Sequence, residues 1–277
     1  MRFLARLAVG LIVLALGARA EAAPRSELWP RWAAHDPASV RTVDHSAWND
    51  LLARHNVAAA DGSRRFAYAS VAADDRRRLG EYVDRLAATA VSALARDEQR
   101  ALWINFYNAL TVKTVLERWP VASIRDIAIS PGIFSTGPWG KKLATVEGEP
   151  LSLDDIEHRI LRPIWKDARI HYALNCAAIG CPDLAPVAFT AANTEDLLER
   201  AARAFVNHPR GARIEDGRRL VVSSIYVWFQ DDFGDGTDAG VVAHLIRYAA
   251  PDLKARLAPF ARIDGHGYDW AINAALK

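Results

Sequence analysis

Apolar positions along this chain fall at helical spacing in some stretches and into short runs between turn signals in others. Trp48, Leu51 and Leu52 share one face of a segment Ala47 to His55, with Ser46 placed to cap it. Leu79, Tyr82, Val83 and Leu86 predict a second helix from Asp74 to about Thr89. The strongest pattern follows, with Leu102, Phe106, Ala109 and Leu110 behind an N-cap at Asp97 and a stop at Pro120. Lys142 to Val146 and Glu149 to Leu151 predict a hairpin about Glu147-Gly148, and Ala212 to Glu215 and Leu220 to Ser223 a second about Asp216-Gly217. Ser152-Leu153-Asp154-Asp155 fits a capping box that opens a helix ended by Pro163. Arg169 to Asn175 reads as a strand, with Ile170, Tyr172 and Leu174 on one face and His171, Ala173 and Asn175 on the other. Further helices are predicted from Asn193 or Thr194 to Val206, from Ile225 to Asp231 and from Ala239 to Ala249, and an extended stretch from Ala261 to Ile272. Helices and short hairpins are interspersed without regular strand–helix alternation, which predicts an α+β fold with helices packed on a small antiparallel sheet.

The N-terminus departs from this pattern. Arginines in Met1 to Arg6, an apolar run Leu7 to Leu16 and small-residue sites at Ala18-Arg19-Ala20 and Ala20-Glu21-Ala22 form the three regions of a secretory signal peptide over residues 1–22. The run is far short of the ~20 residues of a membrane-spanning helix. Residues 23–43, rich in Pro, Arg and Trp, read as an arm, and 44–277 as a single domain in the periplasm or outside the cell. No transmembrane segment is expected after leader removal. Cleavage after Ala22 takes away three arginines and one glutamate, so the formal net charge falls from +2 to zero. Without a basic excess the chain lacks the phosphate-neutralising charge that holds nucleic acid, and no nucleic-acid partner is expected.

Candidate chemistry concentrates in Ile170 to Pro182, which holds both cysteines, His171 and Asn175. In an exported protein, cysteines five apart around a Gly-Pro turn can close a small disulfide loop. The same residue types suit a thiol hydrolase, with Cys176 as nucleophile, His158 or His171 as base, and Asn105 or Asn175 as oxyanion donor. The Ala177 and Ala178 N–H groups following Cys176 add to that expectation. Two cysteines and one histidine fall short of a four-ligand zinc site, and no metal or cofactor is expected. Asn105 and Asn108, three apart in an apolar helix, are either a buried pair tying the helix to a loop or the lining of a polar pocket. Glu157, Asn108 and Asn175 are the candidate substrate contacts, for an unidentified small molecule or peptide. The sequence contains no phosphate-binding glycine loop, serine nucleophile elbow or His-Glu-x-x-His helix.

Several separated segments carry a resemblance. Asp44 to Trp48, Leu102 to Thr111, Asp155-Ile156-Glu157-His158 with Leu161-Arg162, His171 to Pro182, Trp228-Phe229 with Asp232-Phe233, and Asp269 to Asn273 together resemble the family called domain of unknown function 547. Members of that family usually carry a serine where Gly180 stands. The family name implies no activity, and the fold analogy behind the hydrolase reading is the papain or transglutaminase-like α+β core. Its rival is a non-catalytic envelope binding or scaffold domain with a Cys176–Cys181 disulfide and a ligand groove along the amide face.

Overall fold

A computed structural model describes residues 23–132 and 135–275 of the chain. The expected leader at 1–22 lies outside the described residues. The helix Arg96–Arg118 (α3) is the centre of the larger core, and its residues are buried on every side from Glu98 to Val112. A helix apolar round most of its circumference belongs inside a protein rather than on its surface. Helix Ala73–Ala87 (α2) packs on α3, and Ser46–His55 (α1) packs on α2 through Trp48, whose ring lies parallel to Tyr82 with centroids 6.4 Å apart. The caps sit one or two residues from the expected ones. Asp44 Oδ1 accepts the Ser46 N–H at 2.8 Å, so Ser46 begins α1 rather than capping it.

The strands form three small sheets rather than one. Asn56–Ala58 (β1) pairs with Arg64–Phe66 (β2), and Ala144–Val146 (β3) with Glu149–Leu151 (β4), both antiparallel. Ala212–Glu215 (β5) pairs antiparallel with Arg219–Ser223 (β6), which takes Gly265–Gly267 (β7) as a parallel partner. Both predicted hairpin turns form with two consecutive left-handed residues. Glu147 and Gly148 have φ of 47° and 84°, and Asp216 and Gly217 of 50° and 67°. That conformation matches the strand twist, and the glycine removes the steric penalty at its position.

Two expectations are corrected between the sheets. Pro163 does not end its helix. The capping box at Ser152 forms as expected, with Ser152 N–H to Asp155 Oδ2 at 2.8 Å and Asp155 N–H to Ser152 Oγ at 3.1 Å. The helix beyond it, Asp155–Leu161, is a π-helix, and an α-helical turn Arg162–Trp165 (α4) continues past Pro163. Arg169 to Asn175 is not a strand either. Ile170–Ala173 form one helical turn (α5), with Ile170, His171 and Tyr172 N–H groups reaching the Asp167, Ala168 and Arg169 carbonyls. Asp167 Oδ1 accepts the Arg169 N–H at 2.9 Å and fixes the start of the turn. Every residue from 170 to 175 is buried, so the two faces seen in sequence do not separate core from solvent.

Pro163, just past the π-helix, leaves a carbonyl open where the arm is held. Proline has no N–H, and a donor at position 163 would have met the His158 carbonyl in π register or the Arg159 carbonyl in α register. Those two carbonyls instead accept the Glu27 and Trp29 N–H groups of the arm, each at 3.0 Å. A 3-10 turn at Pro30–Ala33 then drives Trp32 into the core, edge-on to Trp103 at 5.2 Å.

A second core gathers Tyr172, Phe205, Tyr226, Phe233, Leu245 and Leu257. It lies among Thr194–Val206 (α6), Ser224–Trp228 (α7), Gln230–Phe233 (α8), Asp238–Tyr248 (α9) and Pro251–Leu257 (α10). The helix expected from Ile225 to Asp231 is broken at Phe229, where φ is −119° and ψ 37°. The break sends Trp228 and Phe229 to different neighbours.

Candidate functional site

The three asparagines do not line an open pocket. Asn105 donates from Nδ2 to the Phe189 carbonyl at 2.8 Å, and its Oδ1 accepts the Phe189 N–H at 3.0 Å. Asn108 likewise donates to the Ala173 carbonyl and accepts the Asn175 N–H, both at 2.8 Å. Asn175 donates to the Pro182 carbonyl at 2.7 Å and accepts the Ala177 N–H at 2.9 Å. Each side chain is buried, so α3 is stitched to the irregular segment 173–189 by amide pairs in place of a sheet. This is the tie expected as one of two readings. Replacing Asn105 by Leu is expected to cost about 2 kcal/mol by leaving the Phe189 backbone unsatisfied. Urea unfolding checks it, and an unchanged midpoint would contradict the tie.

Cys176 and Cys181 are joined in a disulfide. The Ala177 N–H already serves Asn175, so it is not the free oxyanion donor expected from sequence. Ala177 itself is left-handed, φ 64°, an uncommon conformation for a residue with a Cβ. A Cβ on Gly180 would meet the Asp269 nitrogen at 2.8 Å and the Tyr268 ring at 2.9 Å. Glycine at this position therefore lets Tyr268 close over the loop.

His171 and His158 converge on Glu157 as members of a buried charge cluster. His171 Nε2 lies 2.7 Å from Asp232 Oδ2, and its Nδ1 lies 3.5 Å from Glu157 Oε1. Burial alone would lower the His171 pKa, yet the Asp232 and Glu157 carboxylates more than reverse it and hold the ring protonated more strongly than a free imidazole. Arg162 pairs through Nε with Asp232 and donates from the same guanidinium to the Pro24 carbonyl at 2.8 Å and His158 Nδ1 at 3.0 Å. Burial and the adjacent Arg162 and His171 charges, against Glu157, bring His158 down to about 4. Glu157 would be raised by burial, but His158, His171 and Arg162 draw it to about 2, and the Tyr107 hydroxyl hydrogen-bonds to it. Asp232 is likewise held well below the carboxylate range by His171 and Arg162 despite its burial. Phe229 stacks on His171 at 4.4 Å and lies under the Arg162 guanidinium at 4.6 Å.

On the other side of the break after α7, Trp228 joins a wall of half-buried rings. Its centroid lies 4.9 Å from Tyr268 and 5.5 Å from Trp270, and Trp139 stands 5.6 Å from Trp270. The Tyr268 hydroxyl touches both bridge sulfurs, 3.0 Å from Cys176 Sγ and 2.9 Å from Cys181 Sγ. Sequence reading missed Tyr107, Arg210 and Tyr268 and gave Arg162 and Asp232 no role. Asp232 is 61 residues from His171 in sequence, and no spacing rule joins them. A cavity of about 540 Å³ lies elsewhere, lined by Arg41, Asp44, Arg85 and Leu94 among others, and holds none of these residues. Among the described residues no group of three or more His, Cys, Asp or Glu is arranged to hold a metal ion, and no helix is long and apolar enough to cross a membrane.

Fold and site together define an α+β protein whose disulfide-closed loop and aromatic wall flank a buried imidazole–carboxylate cluster. Residues 91–206 match the family model described as "Protein of unknown function, DUF547", and the chain resembles that family through this segment. No curated protein and no solved structure matches the chain.

Proposed function

We propose that this chain is an exported binding domain of the bacterial envelope, with the wall formed by Trp139, Trp228, Tyr268 and Trp270 as the face that receives a small molecule or peptide. The observation that carries this reading is the state of the candidate catalytic groups. The Cys176 sulfur is bonded to Cys181, both His171 nitrogens face carboxylates, and His158 Nδ1 is taken by Arg162. A thiol hydrolase needs a thiolate with a basic neighbour, and this arrangement offers neither. Half-buried rings supply apolar area and stacking for a ligand with a planar or apolar face.

Thiol titration of the purified, unreduced protein tests the reading, with no reactive thiol expected. Two free thiols in the folded protein would overturn it in favour of a cysteine-dependent hydrolase or acyl transferase with Cys176 as nucleophile. Export is part of the same reading, and the paired cysteines support it because a disulfide suits an oxidising compartment. N-terminal sequencing of exported material is expected to begin at Glu21 or Ala23, whereas an intact Met1 start in a membrane fraction would count against the cleaved form.

A further inference from the structure

The two sulfurs of the bridge lie in unequal surroundings. Cys176 is half-buried, whereas Cys181 is 2% exposed. Cys181 Sγ accepts the Cys176 backbone N–H at 2.9 Å and lies within reach of the Tyr268 hydroxyl. Cys176 Sγ shares only the hydroxyl. On the Cys181 side, Arg210 donates to the Ile179 and Cys181 carbonyls, both at 2.8 Å, and to Asp183 Oδ1 at 2.8 Å. A guanidinium is thus fixed against the backbone of the more buried cysteine.

The loop between the sulfurs is also held by groups other than the bridge. Ile179 and Gly180 N–H groups reach the Ala271 and Asp269 carbonyls, each at 2.8 Å, and Asn175 spans the loop to Pro182. Opening the S–S bond therefore leaves the loop backbone tied at several points.

We propose that Cys176–Cys181 is an exchange-competent disulfide whose outer sulfur, Cys176, is the one attacked by an external thiol and whose inner sulfur, Cys181, is the leaving group. The thiolate of a reducing dithiol forms a new S–S bond to Cys176 Sγ as the Cys176–Cys181 bond breaks. The bonding pair departs on Cys181, where the Cys176 N–H and Tyr268 O–H receive it as a thiolate. The second thiolate of the reductant then displaces Cys176, so the domain ends as a dithiol and the reductant as a disulfide, with two electrons transferred. Hydrogen-bond donors aimed at one sulfur lower its thiol pKa, and a lower leaving-group pKa speeds exchange. The asymmetry is that Cys181 Sγ has the Cys176 N–H in addition to the hydroxyl both sulfurs share, and belongs to the more buried of the two residues.

Reduced glutathione is the probe. The oxidised, folded protein is exposed to it briefly, quenched with excess iodoacetamide and mapped by mass spectrometry, with glutathione expected on Cys176 and the alkyl group on Cys181. Tyr268→Phe keeps the ring but removes the hydroxyl, and is expected to slow the first exchange step by about threefold or more. The labelling pattern is read in the parent protein, so it stands even where the variant loses stability. Glutathione on Cys181, an even partition between the two sulfurs, or reduction only at denaturant concentrations that unfold the protein by circular dichroism would overturn the proposal.

Discussion

Replacing Arg162 by Met is expected to lower the unfolding free energy by about 3 kcal/mol, because it strands buried partners rather than merely removing a contact. The Arg162 side chain is 6% exposed and that of Asp232 20%. The guanidinium satisfies Asp232, His158 and the Pro24 carbonyl together. A methionine fills similar volume but donates nothing, so Asp232 is left with His171 alone. For a protein of this size the loss corresponds to a fall in melting midpoint of roughly 5 °C. Arg162→Lys restores the charge without the fork, and is expected to fall between parent and Met variant. Calorimetry showing the parent midpoint in Arg162→Met would mean that water screens the cluster.

Stability is expected to peak near neutral pH and to fall steeply on acidification. His45, His158 and His244 are each brought to about 4, first by burial. Their unfolded values lie near 6.5, so between about pH 6.5 and 4 the unfolded chain binds protons that the folded protein refuses. Their contribution is complete above 6.5 and is lost as pH falls. With three unmatched protons the slope reaches up to about 4 kcal/mol per pH unit near pH 5. His171 has the opposite sign: burial would lower it, but its carboxylate partners raise it, so its contribution is complete below 6.5 and is lost as pH rises through the folded value. Urea midpoints measured from pH 5 to 9 check both limbs. His244→Phe removes one of the three protons and is expected to flatten the acid limb by about a third. A midpoint unchanged from pH 7 to 5 would show that these rings are hydrated.

Local chemistry made part of this architecture legible. Glu147-Gly148 and Asp216-Gly217 supply the left-handed pair a tight hairpin needs, and the capping box at Ser152 forms from the residues that advertise it. Helical periodicity located α1, α2, α3, α6 and α9 to within a residue or two. What failed was decided at long range. The turn at Ile170–Ala173 is buried on all sides, so alternation carried no information about which face met solvent. The contacts of the arm with the His158 and Arg159 carbonyls join residues more than a hundred apart in sequence, and no local pattern signals them. In the site, His158, His171 and Glu157 were identifiable by type, yet their protonation follows from burial and from charged partners such as Arg162 and Asp232, which no local pattern links to them.

The arm has a mechanical consequence of its own. It is anchored at one end by Pro24, Glu27, Trp29 and Trp32, while the stretch that leads from it toward α1 is largely exposed, with Val40 at 93%. A protease that nicks this stretch would leave a short fragment seated by the same hydrogen bonds and the same buried indole. The contact would then no longer be intramolecular, and its occupancy would depend on fragment concentration rather than on the effective concentration the tether supplies. Dilution after nicking would therefore shed the arm, uncover the π-helix carbonyls and leave Arg162 without its Pro24 acceptor, so one cut in a surface tether reaches the charge cluster.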